Sequence, residues 1–257
     1  MDLFTIITSS EKRKNLIILL NTGPKTWEEI RAVCKFPSAA IIPQIRILES
    51  GNVITRQKGT YQLTTMGRVI AKQLKDLVST VTVFEGQMTF WQEHDIDSIP
   101  DQFLMKIGDL GHVVLDEAPI EGIYQMKKEF LSHISSAKTI YGLIHTVHPL
   151  YPSFFLNLAN KGADISFILT RQAFEIAKAD YKDELREWIE IEGTELLILD
   201  DDVRFSFITT DLHISLQLFL TNGVFDSMRD IFSRDRRALK WGRDLFEYFR
   251  NRSVFVS

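Results

Sequence analysis

"CKFPSAAIIPQIRILESGNVITRQKGTYQLTTMG", Cys34–Gly67, fits a helix, a tight turn and the start of a second helix into one short stretch. Pro37 breaks the chain, and Ser38 stands where a helix cap belongs. Ile41, Ile45 and Leu48 recur at i, i+4 and i+7, the stripe of an amphipathic helix. Pro43 deletes one backbone bond just past the first turn, so a late start or a bend is expected there. Gly51 is expected to end the helix in the left-handed conformation. "NVITRQ", "KG" and "TYQLT" read as strand, turn, strand. Thr64 or Thr65 then caps a long helix. Its residues Val69, Ile70, Leu74, Leu77, Val78, Val81 and Phe84 keep a helical period.

The residues upstream complete the pattern. Ser9 or Ser10 caps a helix whose apolar stripe is Leu16, Ile17, Leu19 and Leu20, and Gly23-Pro24 stops it. Thr26 and Glu29 form a capping-box spacing before a helix with Trp27, Ile30 and Val33 on one face. Three short helices, a two-stranded turn and a long exit helix describe a winged helix-turn-helix. In that arrangement two helices supply a small core that props the third outward, and the strand loop reaches sideways.

From about His94 the texture changes. "HDIDSIPDQFLMKIGDLGHVVLDEAP" reads as connector, helix and strand, and "IYQMKKEFLSHISSA" (123–137) as an amphipathic helix. "KTIYGLIHTVHP", "ADISFILTR", "TELLILDD" and "VRFSFITTD" read as strands. Leu150–Gly162, "QAFEIAKADYKDELREWI" and "ALKWGRDLFEYFRNRS" read as helices. "ISLQLFLTNGVFDSMRDIFS" reads as an apolar strand turning into helix at Gly223-Val224. Alternating strands and helices predict an α/β domain with a largely parallel sheet. The expected division is a DNA-binding head at 1–75, a linker or dimerisation helix at 76–97, and a regulatory α/β domain at 98–257.

The charge is unevenly spread. Residues 1–80 hold 12 Lys and Arg against 6 Asp and Glu, and the remainder holds 18 against 28, within a chain of net charge −4. A basic head on an acidic body points to a polyanion at one end. The single cysteine, Cys34, excludes an internal disulfide and is expected to pack as a small hydrophobe. No segment has the layout of a signal peptide or the length of a membrane span, so no membrane partner and a cytoplasmic location are expected.

Duplex DNA is the expected partner. A helix fits the major groove, and polar groups near its start meet base edges. Facing away from the Ile41 stripe are Ser38, Ala39, Pro43, Gln44 and Arg46. Gln44 suits an adenine edge, and Arg46 a guanine or a phosphate. Arg56, Gln57 and Lys58 flank Gly59 at the wing tip, where a cation meets backbone phosphate or the minor groove. Lys25 and Thr26 begin a helix and offer N–H groups and a hydroxyl to a phosphate. The apolar stripe from Thr65 to Phe84 is wider than one small domain needs. A homodimer on a pseudo-palindromic site is therefore expected, with the helix relaying a signal from the body. A small-molecule effector is a possible partner for the body.

"FPSAAIIPQIRILESGNVI", "YQLTTMG" and "HDIDSIPDQFLMKIGDLG" resemble an archaeal family of winged-helix regulators, that of the methanogenesis and filament-formation regulatory protein. The resemblance covers nearly the whole chain and implies a DNA-binding domain followed by a regulatory domain. More weakly, the tail is similar to regulators whose second domain has the shape of phospholipase D without its activity. That chemistry needs a His with a Lys two residues on, and none of the six histidines has one; at His213 the position holds Ser215. An enzyme is therefore not expected. The alternatives are a phosphodiesterase-like enzyme or a protein-interaction module built on a winged helix. His145 and His148 lack metal spacing, and Asp200, Asp201 and Asp202 read as a solvated acidic turn. No cofactor and no metal are expected.

Overall fold

Gly67 lies so close to the Val53 carbonyl that no side chain fits between them. The computed structural model describes residues 1–34, 36–118 and 133–256. It divides into two compact units, Met1–Ser79 and Thr80–Ser257.

The first unit begins with a helix that periodicity does not reveal, α1 (Leu3–Thr8), capped by the Asp2 carboxylate accepting from Thr5 N–H. Ser10 caps α2 (Glu11–Leu20). Strand β1 (Lys25–Thr26) leads into α3 (Trp27–Val33), where the capping box of Thr26 and Glu29 is complete. Helix α4 (Ser38–Ser50) contains Pro43 without a break. Strands β2 (Ile54–Gln57) and β3 (Thr60–Leu63) form the wing, and β1 joins them as the third strand in the order β1-β3-β2. Helix α5 (Thr65–Gly86) follows. Ile6, Leu16, Ile17, Leu20, Ile30, Ile41, Ile45 and Leu48 bury together with Val53, Ile54, Leu63, Ala71 and Leu74. This is a winged helix-turn-helix.

Several local expectations need correction. Pro37, not Ser38, is the residue before α4, and no side chain caps that helix. Val33 is 59% exposed and does not share the buried face of Ile30. Gly51 has φ −81°, and the left-handed residue is its neighbour Asn52 at φ 54°. Asparagine tolerates that region by local hydrogen bonding. Gly51 is tight for a different reason: a Cβ there would stand 3.0 Å from Ile6 Cδ1 of α1. At the wing tip Lys58 and Gly59 both have positive φ, 49° and 85°, the mirror-image turn that matches strand twist.

The second unit is built on an eight-stranded sheet, with β4 (Val114–Glu117), β5 (Thr139–Ile144), β6 (Asp164–Thr170), β7 (Thr194–Leu199), β8 (Phe205–Thr210), β9 (Ile214–Leu218), β10 (Arg229–Ser233) and β11 (Val254–Phe255). The order is β11-β7-β6-β5-β8-β9-β10-β4. Among the described residues only β5–β6 and β6–β7 pair in parallel, so the sheet is mixed and not largely parallel. The parallel pairs enclose helical crossovers, α8 (Tyr151–Asn160), then α9 (Arg171–Asp180) and α10 (Lys182–Glu190). Between β8 and β9 three residues are too few for a crossover, so the chain turns back antiparallel. The segment read as one helix around Tyr181 is these two, α9 and α10, broken at that residue. The helix expected from Gly223-Val224 is strand β10. There Asp226 accepts from Met228 N–H and Arg229 N–H, a side-chain turn that displaces helical bonding.

Helix α6 (Met88–Glu93), within the 76–97 stretch, buries Phe90 and Trp91. They join α7 (Asp101–Leu104) and the last helix, α11 (Arg236–Arg250), over one face of the sheet. Helices α8 to α10 cover the other face over β5, β6 and β7. Of the predicted amphipathic helix, residues 123–132 lie outside the described residues. Among the described residues no helix is long and apolar enough to cross a membrane.

Gly67 is fixed by a close approach. Thr64 Oγ1 accepts from Gly67 N–H at 2.9 Å and donates to the Asn52 carbonyl at 2.7 Å. A Cβ on Gly67 would fall 1.9 Å from the Val53 carbonyl oxygen. Gly67→Ala is therefore expected to destabilise the first unit by about 3 kcal/mol, the upper part of the overpacking range. Gly59→Ala meets open space and should cost only the left-handed penalty of about 1 kcal/mol. Urea midpoints of the two variants check the order.

Candidate nucleic-acid interface

The surface around α4 is set from inside by Arg13. Its side chain is only 5% exposed, on the apolar face of α2. Nε donates to the Ile6 carbonyl at 2.5 Å and Nη2 to Thr5 O at 3.3 Å and Ser9 Oγ at 2.6 Å. Nη1 donates to Gln44 Oε1 at 2.7 Å. The guanidinium thus satisfies the open carbonyl end of α1, where helix dipoles favour a cation. It also ties α1 and α2 to α4.

This clamp decides which face of α4 is outward. Ile41, Ile45 and Leu48 are buried. Ala39, Ile42, Pro43 and Arg46 are exposed. Ser38 is half-buried at the first turn. Gln44 is half-buried as well, and its carbonyl oxygen is engaged by Arg13. A bidentate adenine contact needs that oxygen and the amide nitrogen together. Gln44 is therefore a support for α4 first, with only its NH₂ left for a base. Ile42, 41% exposed, escaped the sequence reading. Its i, i+3, i+4, i+7 relation to Ala39, Pro43 and Arg46 was the available signal, and a methyl-rich surface suits a thymine methyl.

At the wing, Arg56, Gln57, Lys58 and Gly59 are exposed. The Arg56 guanidinium lies 5.4 Å from the Tyr61 ring centroid, which stiffens a long side chain without neutralising it. Lys58 heads the turn. Arg46, Arg56 and Lys58 have no ion-pair partner among the described residues.

Lys25 and Thr26 fare unequally. Lys25 pairs with Tyr61 across β1 and β3. Thr26 N–H donates to Glu29 Oε2 at 2.7 Å, and Thr26 Oγ1 accepts from Glu29 N–H at 3.2 Å. The Thr26 N–H holds the Glu29 carboxyl below the usual carboxylate range. An anion therefore already occupies this helix start, which corrects the expectation of a free N–H for phosphate. Cys34 is half-buried beside the first core, and burial pushes its thiol pKa up. That is the behaviour of packing rather than of a nucleophile.

A family model described as methanogenesis regulatory protein FilR1, middle domain, matches residues 123–252, and one for the N-terminal domain matches residues 1–82. The chain belongs to the FilR1 methanogenesis regulatory protein family. The FilR1 protein of Methanothrix harundinacea (strain 6Ac) is 23% identical over 255 residues, 96% of this chain and 56% of that one. The chain thus spans little more than half the length of this curated FilR1 relative. Among solved structures, TrmBL2, described as an archaeal chromatin protein with a novel mode of DNA binding, matches at TM-score 0.45 and 14% identity, over 95% of this chain and 93% of that one. Nuc from Salmonella typhimurium, a phospholipase D family member, matches at TM-score 0.41 and 13% identity, over 56% of this chain and 97% of that one.

Arg13→Met keeps the buried length of the side chain and removes the donors. Its loss should cost about 3 kcal/mol, since hydrogen bonds to a charged group contribute roughly 1.5–3 kcal/mol each but the stripped carbonyls regain some water. Amide exchange should accelerate in α1 and α4 before it does in the second unit.

Proposed function

We propose that the chain is a DNA-binding transcriptional regulator whose first unit lays α4 in a major groove and its wing on the flanking backbone. The observation that carries this reading is the combination of one exposed α4 face with unpaired cations at Arg46, Arg56 and Lys58. The FilR1 family, named for regulation, supports it. Ser38, Ala39, Ile42 and Pro43 make the close approach, and Arg46 reads a base or binds a phosphate. Lys25, Arg56, Gln57 and Lys58 contact the backbone, with the Thr26 hydroxyl and the Gln44 amide as secondary donors. The second unit takes a regulatory and not an enzymatic role, in a protein that works in the cytoplasm.

The test is fluorescence anisotropy on duplexes from the protein's own promoter, across a salt series. Arg56→Ala and Lys58→Ala should weaken binding on all duplexes alike and each lower the salt slope by about 1, as expected for one lost phosphate contact. Arg46→Ala should cost about 1–3 kcal/mol and relax base preference at one position if it reads a base. Unchanged affinity in the triple variant would favour a protein-interaction module instead.

The reading includes a homodimer. On α5, Met66, Val69 and Leu77 are 37%, 65% and 58% exposed and spaced for one helical face. An open apolar stripe of this kind suits a second copy of the same helix. Leu77→Glu should convert a dimer to a monomer by sedimentation and lower affinity for a two-half-site duplex far more than for a single half-site. A wild-type monomer at all concentrations would remove the dimer from the reading.

A further inference from the structure

The outward stripe of α4 is apolar over its first turns. Ala39, Ile42, Pro43, Arg46 and Glu49 are all exposed and recur at i, i+3, i+4, i+7 and i+10. Three apolar side chains thus precede the first donor, Arg46. Neither Ile42 nor Pro43 packs on the first core. Pro43 forfeits a backbone hydrogen bond inside the helix and, being exposed, regains nothing from burial.

The polar groups around this stripe are committed elsewhere. Gln44 Oε1 is engaged by Arg13 Nη1 at 2.7 Å, and Ser50 Oγ donates to the Ile47 carbonyl at 2.8 Å. Glu49 puts a carboxylate at the far end of the stripe, where a phosphate would repel it. The length of α4 suited to a polyanion therefore runs from Ser38 to Arg46.

What such a surface can meet in a major groove is limited. Guanine presents acceptors there, cytosine a donor, and adenine one of each. An apolar side chain over any of them strips water from a polar group and returns no hydrogen bond. The 5-methyl of thymine is the one apolar group among the base edges. Ile42 and Pro43 are consecutive and both exposed, so they offer one continuous apolar surface. Arg46 follows about 4.5–6 Å further along the helix axis at 1.5 Å per residue. That is one or two base-pair steps of about 3.4 Å.

The charges nearby select the occupant. Arg46, Arg56 and Lys58 are exposed, with no ion-pair partner among the described residues. An apolar patch on a protein would cover Ile42 and Pro43 but leave these cations without counter-charge. A duplex supplies both methyl groups and phosphates. Given a DNA-binding first unit, on which this rests, we propose that α4 recognises thymine methyl groups. Ile42 and Pro43 pack on adjacent thymines with Ala39 beside them, and these contacts set the base preference next to Arg46.

The full chain is titrated by fluorescence anisotropy onto its own promoter duplex and onto the same duplex with every thymine replaced by deoxyuridine. The replacement deletes the methyl groups and keeps every groove donor, acceptor and phosphate. Binding should weaken about tenfold, the value of roughly two buried methyl groups. The salt slope should not change, because no phosphate contact is lost. Replacing thymines one at a time should place the loss on adjacent positions in each half-site. The double variant Ile42→Ala, Pro43→Ala leaves the buried face of α4 intact, and thermal unfolding checks that it folds. It should bind the thymine duplex about as weakly as the wild type binds the deoxyuridine duplex, and no longer distinguish the two. Equal wild-type affinity for both duplexes, a loss spread evenly over all thymines, or an undiminished difference in the folded double variant sinks the proposal. DNA binding without the difference defeats only methyl recognition. Binding to neither duplex defeats the DNA-binding reading, and methyl recognition with it.

Discussion

A buried guanidinium with no carboxylate beside it governs the first unit. Arginine stays protonated in proteins, so Arg13 must be satisfied by dipoles. It finds them at the carbonyl end of α1, on Ser9 and on Gln44. Desolvating a cation this way is tolerable only if every partner is held in place. The result is a rigid relation among α1, α2 and α4. The exposed face of α4 is what remains after this internal demand has been met. Gln44 illustrates the competition. One side chain cannot both anchor α4 through its carbonyl oxygen and read a base with that same atom.

The winged helix was legible because its determinants are local. The Ile41 stripe, the capping box at Thr26, the Lys58-Gly59 turn and the Thr64 cap each need only a few neighbouring residues. What escaped required knowledge of distant partners. Helix α1 is six residues long and rich in β-branched side chains, and it exists because Ile6 packs on Gly51 and Arg13 caps its end. Yet Arg13 had a visible signature: it precedes Leu16, Ile17 and Leu20 by three, four and seven residues, which puts it on the apolar face. Of the candidate site, the wing cations and Arg46 were readable as exposed charge. The engagement of Gln44 and Thr26 was not, because both are occupied by side chains whose reach periodicity does not describe.

In the second unit the same limit applies at larger scale. From β5 to β7 the alternation of strands and helices was read correctly apart from the break at Tyr181, and helical crossovers there impose parallel pairing. Beyond β8 the connections shorten and pairing reverses. The decisive residue before β10 is Asp226, whose carboxylate takes two backbone N–H groups, His94 Nε2 at 3.1 Å and Arg229 Nε at 2.7 Å. Its partner His94 lies over a hundred residues upstream, as does Glu93, which binds Arg229 at 2.7 Å. No local pattern in "NGVFDSMRDIF" carries that information. The apolar spacing alone favoured a helix that the buried carboxylate prevents.

The treatment of charge differs between the units, and the difference is physical as well as arithmetic. In the second unit several arginines are matched by carboxylates. Arg204 meets Asp95 at 3.1 Å, Arg171 meets Asp200 at 2.8 Å, and Arg250 meets Glu195 at 2.7 Å. Most of these pairs are at least partly solvated, so they add little stability but cancel the local field. In the first unit the buried cation, Arg13, uses neutral partners and consumes no carboxylate. Arg46, Arg56 and Lys58 stay in solvent, where association with a polyanion needs little desolvation and gains from released counterions. An acidic chain can therefore present a basic end without contradiction. The negative surplus lies in residues 81–257, and Arg46, Arg56 and Lys58 of the first unit have no ion-pair partner among the described residues.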